Sequence, residues 1–250
     1  MNTAPVPVTR IAMWSGPRNI STAMMRAWEN RADTAVVDEP FYACFLTATG
    51  IVHPMQAEVL AHQSSVWQDV IQQQLEKPLA PPQTIQYQKH MTQHMVVAVD
   101  TNWFASLKHA FLIRHPADVV ASYSEKRETV SASDLGFAQQ KDLYDKALEL
   151  GQKPPVIDSR DVLGNPELCL RALCAQLNLS FDTNMLHWPA GLRESDGVWA
   201  DHWYNKVKQS TGFESYTAKT FNLSKVEQSI VDECLPYYQA LYEKRLCVDQ

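Results

Sequence analysis

Short apolar runs alternate along this chain with stretches of helical period. Residues 8–14, 34–37, 84–88, 110–113 and 156–157 are strand candidates, each bounded by polar or turn-forming residues. Between them the period changes from two to 3.6. Met24, Ala27 and Trp28 fall on one helical face after the first run, and Val119, Val120 and Tyr123 follow Pro116, a good first helical residue. Asn165 is placed to cap a helix with Pro166 in its first turn and Leu170, Leu173 and Leu177 in one stripe. Ser224 and Glu227 have capping-box spacing before Val226, Ile230 and Cys234, with Pro236 starting or kinking the last helix. Strands alternating with helices predict an α/β fold, a parallel sheet of about five strands with helices on both faces and ligands at the carboxyl ends of the strands. No repeat interrupts the order, and 76–84 reads as an exposed connection, so residues 1–250 are read as one domain.

Composition narrows the partners. Of 250 residues, 28 are acidic and 22 basic, a formal net charge of −6 that provides no general attraction for nucleic acid or anionic membranes. An anion site in this chain has to be local. No apolar run reaches the ~20 residues of a membrane span, and the opening "MNTAPVPVTR" lacks a signal-peptide core, so a cytoplasmic protein without integral membrane contact is expected. Five cysteines without a C-x-x-C pair read as reduced core thiols. Oligomeric state is not legible.

The first strand candidate runs into "WSGPRNIST", a turn before a helix. Such a turn offers backbone N–H groups, the Ser21 and Thr22 hydroxyls and Arg18 to a phosphate. A nucleoside-triphosphate loop would need G-x-x-x-x-G-K-[ST]; counted from Gly16, the second glycine is Ser21 and the lysine is Thr22. The alternative is a plain turn capped by Asn19 or Ser21. The second segment, "HAFLIRHPADVVASY" at 109–123, puts Arg114 at a strand end and Ser122 two turns into the next helix.

Together these segments resemble the nucleotide-binding elements of the sulfotransferase family, whose donor is 3′-phosphoadenosine 5′-phosphosulfate (PAPS). The resemblance implies that Pro17, Arg18, Asn19, Ile20, Ser21 and Thr22 hold the 5′-phosphosulfate. Arg114 and Ser122, in a motif with Pro116, Asp118 and Tyr123, would hold the 3′-phosphate. A third block at 156–182 resembles the family's strand, D-x-L-x-x-x-P turn and helix, and the segment 196–213 resembles its closing loop, with Gly197, Lys206 and Lys208 over the nucleotide; packing by Trp199 and Trp203 is the other reading of that segment. Two positions depart from the pattern: Ile20 replaces a loop glycine, and His115 replaces Asn or Asp.

Sulfuryl transfer needs a base for the acceptor proton and cations for the charge growing on oxygen. The family's K-x-H-like context points to His90 as first-choice base after the strand at 84–88, with Lys89 and Arg18 as the cations. Glu39, in an "EPFY" context similar to that of some bacterial sulfotransferases, is the second candidate; a helix start at Pro40 or a Walker B strand end are the other readings of that stretch. His90 and His94 have i, i+4 spacing, but no third ligand is evident and no metal is expected. The resulting expectation is PAPS-dependent transfer to a hydroxyl or amine of a small molecule. A nucleotide-binding or regulatory protein without transfer is the alternative, followed by a phosphoryl transferase.

Overall fold

The computed structural model describes residues 7–96, 102–125, 130–218 and 220–247. Residues 1–6, part of the opening read for a signal peptide, lie outside them. Among the described residues a five-stranded sheet forms from β1 (Thr9–Ser15), β2 (Thr34–Asp38), β3 (Ile85–Met91), β4 (Lys108–Ile113) and β5 (Val156–Asp158). Every pair is parallel, in the order β2-β3-β1-β4-β5. The chain runs outward from β1 to β2, returns to β3, and then crosses to β4 on the other side of β1. That reversal opens a crevice beyond the carboxyl ends of the strands.

Period-two alternation assigns the side chains of each strand to two cores. Ile11 and Met13 of β1, with Ala110 and Leu112 of β4, pack against helix Ser21–Glu29, helix Pro166–Gln176 and Trp188 and Trp199. Ala12, Trp14, Phe111 and Ile113 face the opposite core, shared with helices Pro116–Ser124, Phe137–Glu149 and Lys225–Tyr242. Burial on both faces explains why these strands read as continuous apolar runs.

Local signals set several boundaries. Asn165 Oδ1 accepts from the Leu168 N–H at 3.1 Å, and Ser224 and Glu227 form the reciprocal capping box. Pro236 lies inside the single helix Lys225–Tyr242 rather than starting a new one. One boundary differs in a way that matters for chemistry. β3 continues past the expected Gln88 to Met91, because Lys89, His90 and Met91 pair with Met13, Trp14 and Ser15 of the central strand.

Candidate active site

Beyond the strand ends lies a cavity of roughly 400 Å³ lined by loops from β1, β2, β3 and β4 and by the segment around 203–221. Its first end is built by the turn after β1. Arg18 and Ile20 both take left-handed backbone angles, φ 58° and 50°. Ile20 occupies the N-cap position of helix Ser21–Glu29 without a capping side chain, and Ser21, Thr22 and Ala23 of the first turn line the cavity. Asn19 turns inward, its Nδ2 donating to the Leu112 carbonyl at 2.6 Å, and ties this turn to β4.

Arg114, at the end of β4, donates from Nη1 to the Arg18 carbonyl at 2.8 Å, and Arg18 Nε donates to Ser122 Oγ at 3.0 Å. His115 Nδ1 accepts from the Ala117 N–H and so does the capping work of the Asn or Asp it replaces. Burial, aided by the neighbouring Arg114 charge, lowers the pKa of Arg18. Two guanidiniums beside an uncapped helix N-terminus form a place where an anion relieves repulsion and completes hydrogen bonds.

The other end is a buried ionic cluster. Lys89 Nζ donates to Asp38 Oδ1 at 2.8 Å, to Glu39 Oε1 at 2.5 Å and to the Tyr204 hydroxyl at 2.8 Å, which uses all three of its N–H donors. Tyr204 donates to Asp38 Oδ2 at 2.6 Å and accepts from Trp199 Nε1 at 3.2 Å. Glu39, at φ 41°, follows β2 directly, and its backbone N–H donates to the Lys89 carbonyl at 2.9 Å. Burial raises the Glu39 pKa against the opposing pull of Lys89, while the two carboxylates raise that of Lys89. His94 stacks on Tyr42 and Phe45, with Nε2 3.9 Å from Glu39 Oε2.

The cavity brings together most of the residues read from the sequence. Pro17 through Thr22, Arg114, Ser122, Glu39, Lys89 and Lys206 line it. His90 and Gly197 are placed elsewhere. Adjacent residues of a strand point to opposite faces, so Lys89 faces the cavity and His90 faces the far core, stacked on Trp14 and Phe41. Its Nε2 meets Gln88 Oε1 at 3.0 Å, and burial pushes its pKa down to about 3.

Gly197 supports the cluster rather than the nucleotide end: its N–H donates to Asp38 Oδ2 at 3.0 Å and its Cα lies against the Trp199 indole. Gly212, not Gly197, is the glycine at the cavity wall, and Lys208 is not part of that wall. Sequence reasoning passed over Asp38, Tyr42, His53 and Tyr204. The "DE" pair at 38–39 was a usable signal for Asp38, whereas nothing in the sequence links Tyr204 to a carboxylate 166 residues away. Among the described residues, no group of three or more His, Cys, Asp or Glu is arranged around a metal position.

Residues 9–245 match the profile of the sulfotransferase domain family. The chain belongs to the sulfotransferase family. Two Arabidopsis thaliana proteins named branched-chain-amino-acid aminotransferase-like proteins 1 and 2 are 36% and 32% identical to it, over 92% of this chain in each case. The chain spans 41% of the length of these relatives. A sulfotransferase from Alicyclobacillus acidocaldarius superposes with a TM-score of 0.55 at 12% identity, covering 98% of each chain. The sulfotransferase domain from the curacin biosynthetic pathway gives 0.52 at 16% identity, covering 92% of this chain and 98% of that one. At such identities the likeness to solved structures establishes the sulfotransferase fold alone.

Proposed function

We propose that this sulfotransferase moves a sulfuryl group from PAPS to a hydroxyl of a small-molecule acceptor, with Glu39 as the base. The supporting observation is a single cavity with two chemically different ends, the Arg18, Arg114 and Ser122 cluster at one and the Lys89-bound Glu39 carboxylate at the other. On this reading the helix N-terminus and Arg18 hold the 5′-phosphosulfate, and Arg114 with Ser122 holds the 3′-phosphate. The acceptor oxygen bonds to sulfur as the sulfur to phosphate-oxygen bond breaks. The acceptor proton passes to Glu39 Oε2, and adenosine 3′,5′-bisphosphate leaves.

Lys89 acts through Glu39. With its donors already taken, it anchors Oε1 and leaves Oε2 for the acceptor. The raised pKa makes Glu39 a stronger base than an exposed carboxylate. Negative charge on the transferred group and its leaving phosphate is met by arginine and helix N–H groups, and no metal enters the scheme. Ile20 holds φ 50°, the conformation a glycine would take without steric cost, so the loop keeps its course despite the substitution. The Ile20 substitution therefore gives no reason to prefer nucleotide binding without transfer.

Single-turnover transfer from labelled PAPS across a panel of alcohols and amines tests the scheme. Glu39→Gln is expected to lose ~10²- to 10⁴-fold in rate with adenosine 3′,5′-bisphosphate affinity retained, while His90→Gln stays within a few-fold of wild type. Near wild-type transfer by Glu39→Gln would reject Glu39 as the base.

A further inference from the structure

His94 stands beside Glu39, and its two ring nitrogens have different surroundings. Its Nδ1 is buried and has no hydrogen-bond partner, while Nε2 faces Glu39 Oε2 at 3.9 Å in the cavity wall. A proton on Nδ1 would leave a buried donor unpaired, at greater cost than leaving a lone pair there. The ring is 3% exposed, and burial with the nearby Lys89 charge keeps it neutral. The Nε2–H tautomer is therefore favoured, and it presents a donor to the cavity.

The separation of 3.9 Å is too long for a direct hydrogen bond. A single hydroxyl oxygen placed about 2.8 Å from both atoms spans it, donating its proton to Glu39 and accepting from His94. An alkylammonium has no lone pair with which to accept from Nε2–H, so the pair discriminates against it. Tyr42 stacks on His94, Tyr204 meets Lys89, and Trp203 and Phe213 line the same cavity, while the ionic groups paired there, Lys89 with Asp38 and Glu39, sum to one negative charge. Such a wall suits an uncharged, partly apolar molecule better than an anion.

We propose that His94 and Glu39 together grip the acceptor hydroxyl, and that the acceptor is a neutral alcohol presented on an aromatic or aliphatic body. His94 holds the acceptor oxygen and Glu39 takes its proton. The inference rests on the reading of Glu39 as base, but the state of the His94 ring can be measured without any donor or acceptor.

Nitrogen-15 spectra of histidine-labelled protein near pH 7, assigned with His94→Gln, should show a neutral ring protonated on Nε2. A ring protonated on Nδ1, or a charged one, overturns the proposal. With PAPS and benzyl alcohol as probe, His94→Leu should lose 10- to 100-fold in kcat/KM, chiefly through KM for the alcohol, at unchanged affinity for adenosine 3′,5′-bisphosphate. His94→Gln, which keeps a donor, should recover most of that loss, and benzylamine should be the poorer acceptor at a pH where it is protonated. Wild-type kinetics in His94→Leu, or no difference between the Leu and Gln variants, also overturns it. Failure of the wild type to bind adenosine 3′,5′-bisphosphate would instead count against the donor assignment, and the tautomer result would still decide the role of His94.

Discussion

Tyr204 shows how much one hydroxyl can organise. It donates to Asp38, accepts from Lys89 and Trp199, and is itself buried at the cavity wall. Removing it leaves a carboxylate oxygen, an ammonium N–H and an indole N–H each short of a partner, while the phenyl ring still fills the space. Tyr204→Phe is therefore expected to cost about 1 to 3 kcal/mol in denaturant unfolding, more than a typical single hydrogen bond, because buried partners are stranded. It should also slow transfer, since Lys89 loses one of the three contacts that fix it against Glu39. Unchanged stability would show that the cluster relaxes or admits water. The same reasoning separates the two sequence candidates for the base. Glu39 and His90 both sit at strand ends, yet their side chains meet different surroundings: one a cavity, the other a sealed aromatic core.

Among the elements, β3 carries most of the functional consequence. Its polar residues Gln88, Lys89 and His90 hid its true end, because period and apolarity fade there while pairing with β1 continues. Alternation along an extended strand then places Lys89 and His90 on opposite faces, a fact legible in the sequence once the strand is known to reach Met91. The segment that follows Asp196 is the opposite case: it has little regular structure and is held by point contacts. Gly197 is one of them, and a Cβ there would come within 2.1 Å of the Trp199 ring. Gly197→Ala should displace the indole, weaken its bond to Tyr204 and lower thermal stability by ~1 to 3 kcal/mol, as overpacking does. A Tm equal to wild type would mean that the segment shifts freely and that the contact is not structural. By contrast the capping boxes and prolines of the helices act locally, which is why those starts were readable residue by residue.

For the whole molecule, ligand and proton linkage give two measurable outcomes. A ligand that binds the native state alone adds RT ln(1 + [L]/Kd), so adenosine 3′,5′-bisphosphate at a hundredfold excess over Kd should add ~2.7 kcal/mol. Arg114→Ala should remove most of that shift, and 5′-AMP should give a smaller one; equal shifts with both nucleotides would reject the 3′-phosphate assignment. Protons act in the other direction. Burial holds His90 near a pKa of about 3 and His109 near about 4, and keeps His94 well below the usual histidine range. Unfolded, each takes up a proton near pH 6.5, so the unfolded state binds more protons below that pH and stability rises with pH up to about 6.5. Each such histidine contributes a slope of up to about 1.4 kcal/mol per pH unit between 6.5 and its folded pKa. The raised pKa values of the buried carboxylates Glu39 and Asp158 oppose this trend, but they are two groups against the three histidines. Denaturant midpoints should fall clearly from pH 7 to 5, where ordinary carboxylates remain mostly ionised, and His109→Gln should reduce the slope; a flat profile would contradict the buried neutral histidines. Sequence alone determined the alternation of strands and helices, the two strand-turn-helix segments that carry Arg18 and Arg114 and their helix starts, because each depends on residues near one another along the chain and on a fixed structural period. Tertiary structure alone decided which face of β3 meets the cavity, that Tyr204 closes the Asp38 and Lys89 cluster, and that His94 stands beside Glu39. Those relations join residues brought together across the sheet or from distant segments, and only packing and burial set their distances and charge states.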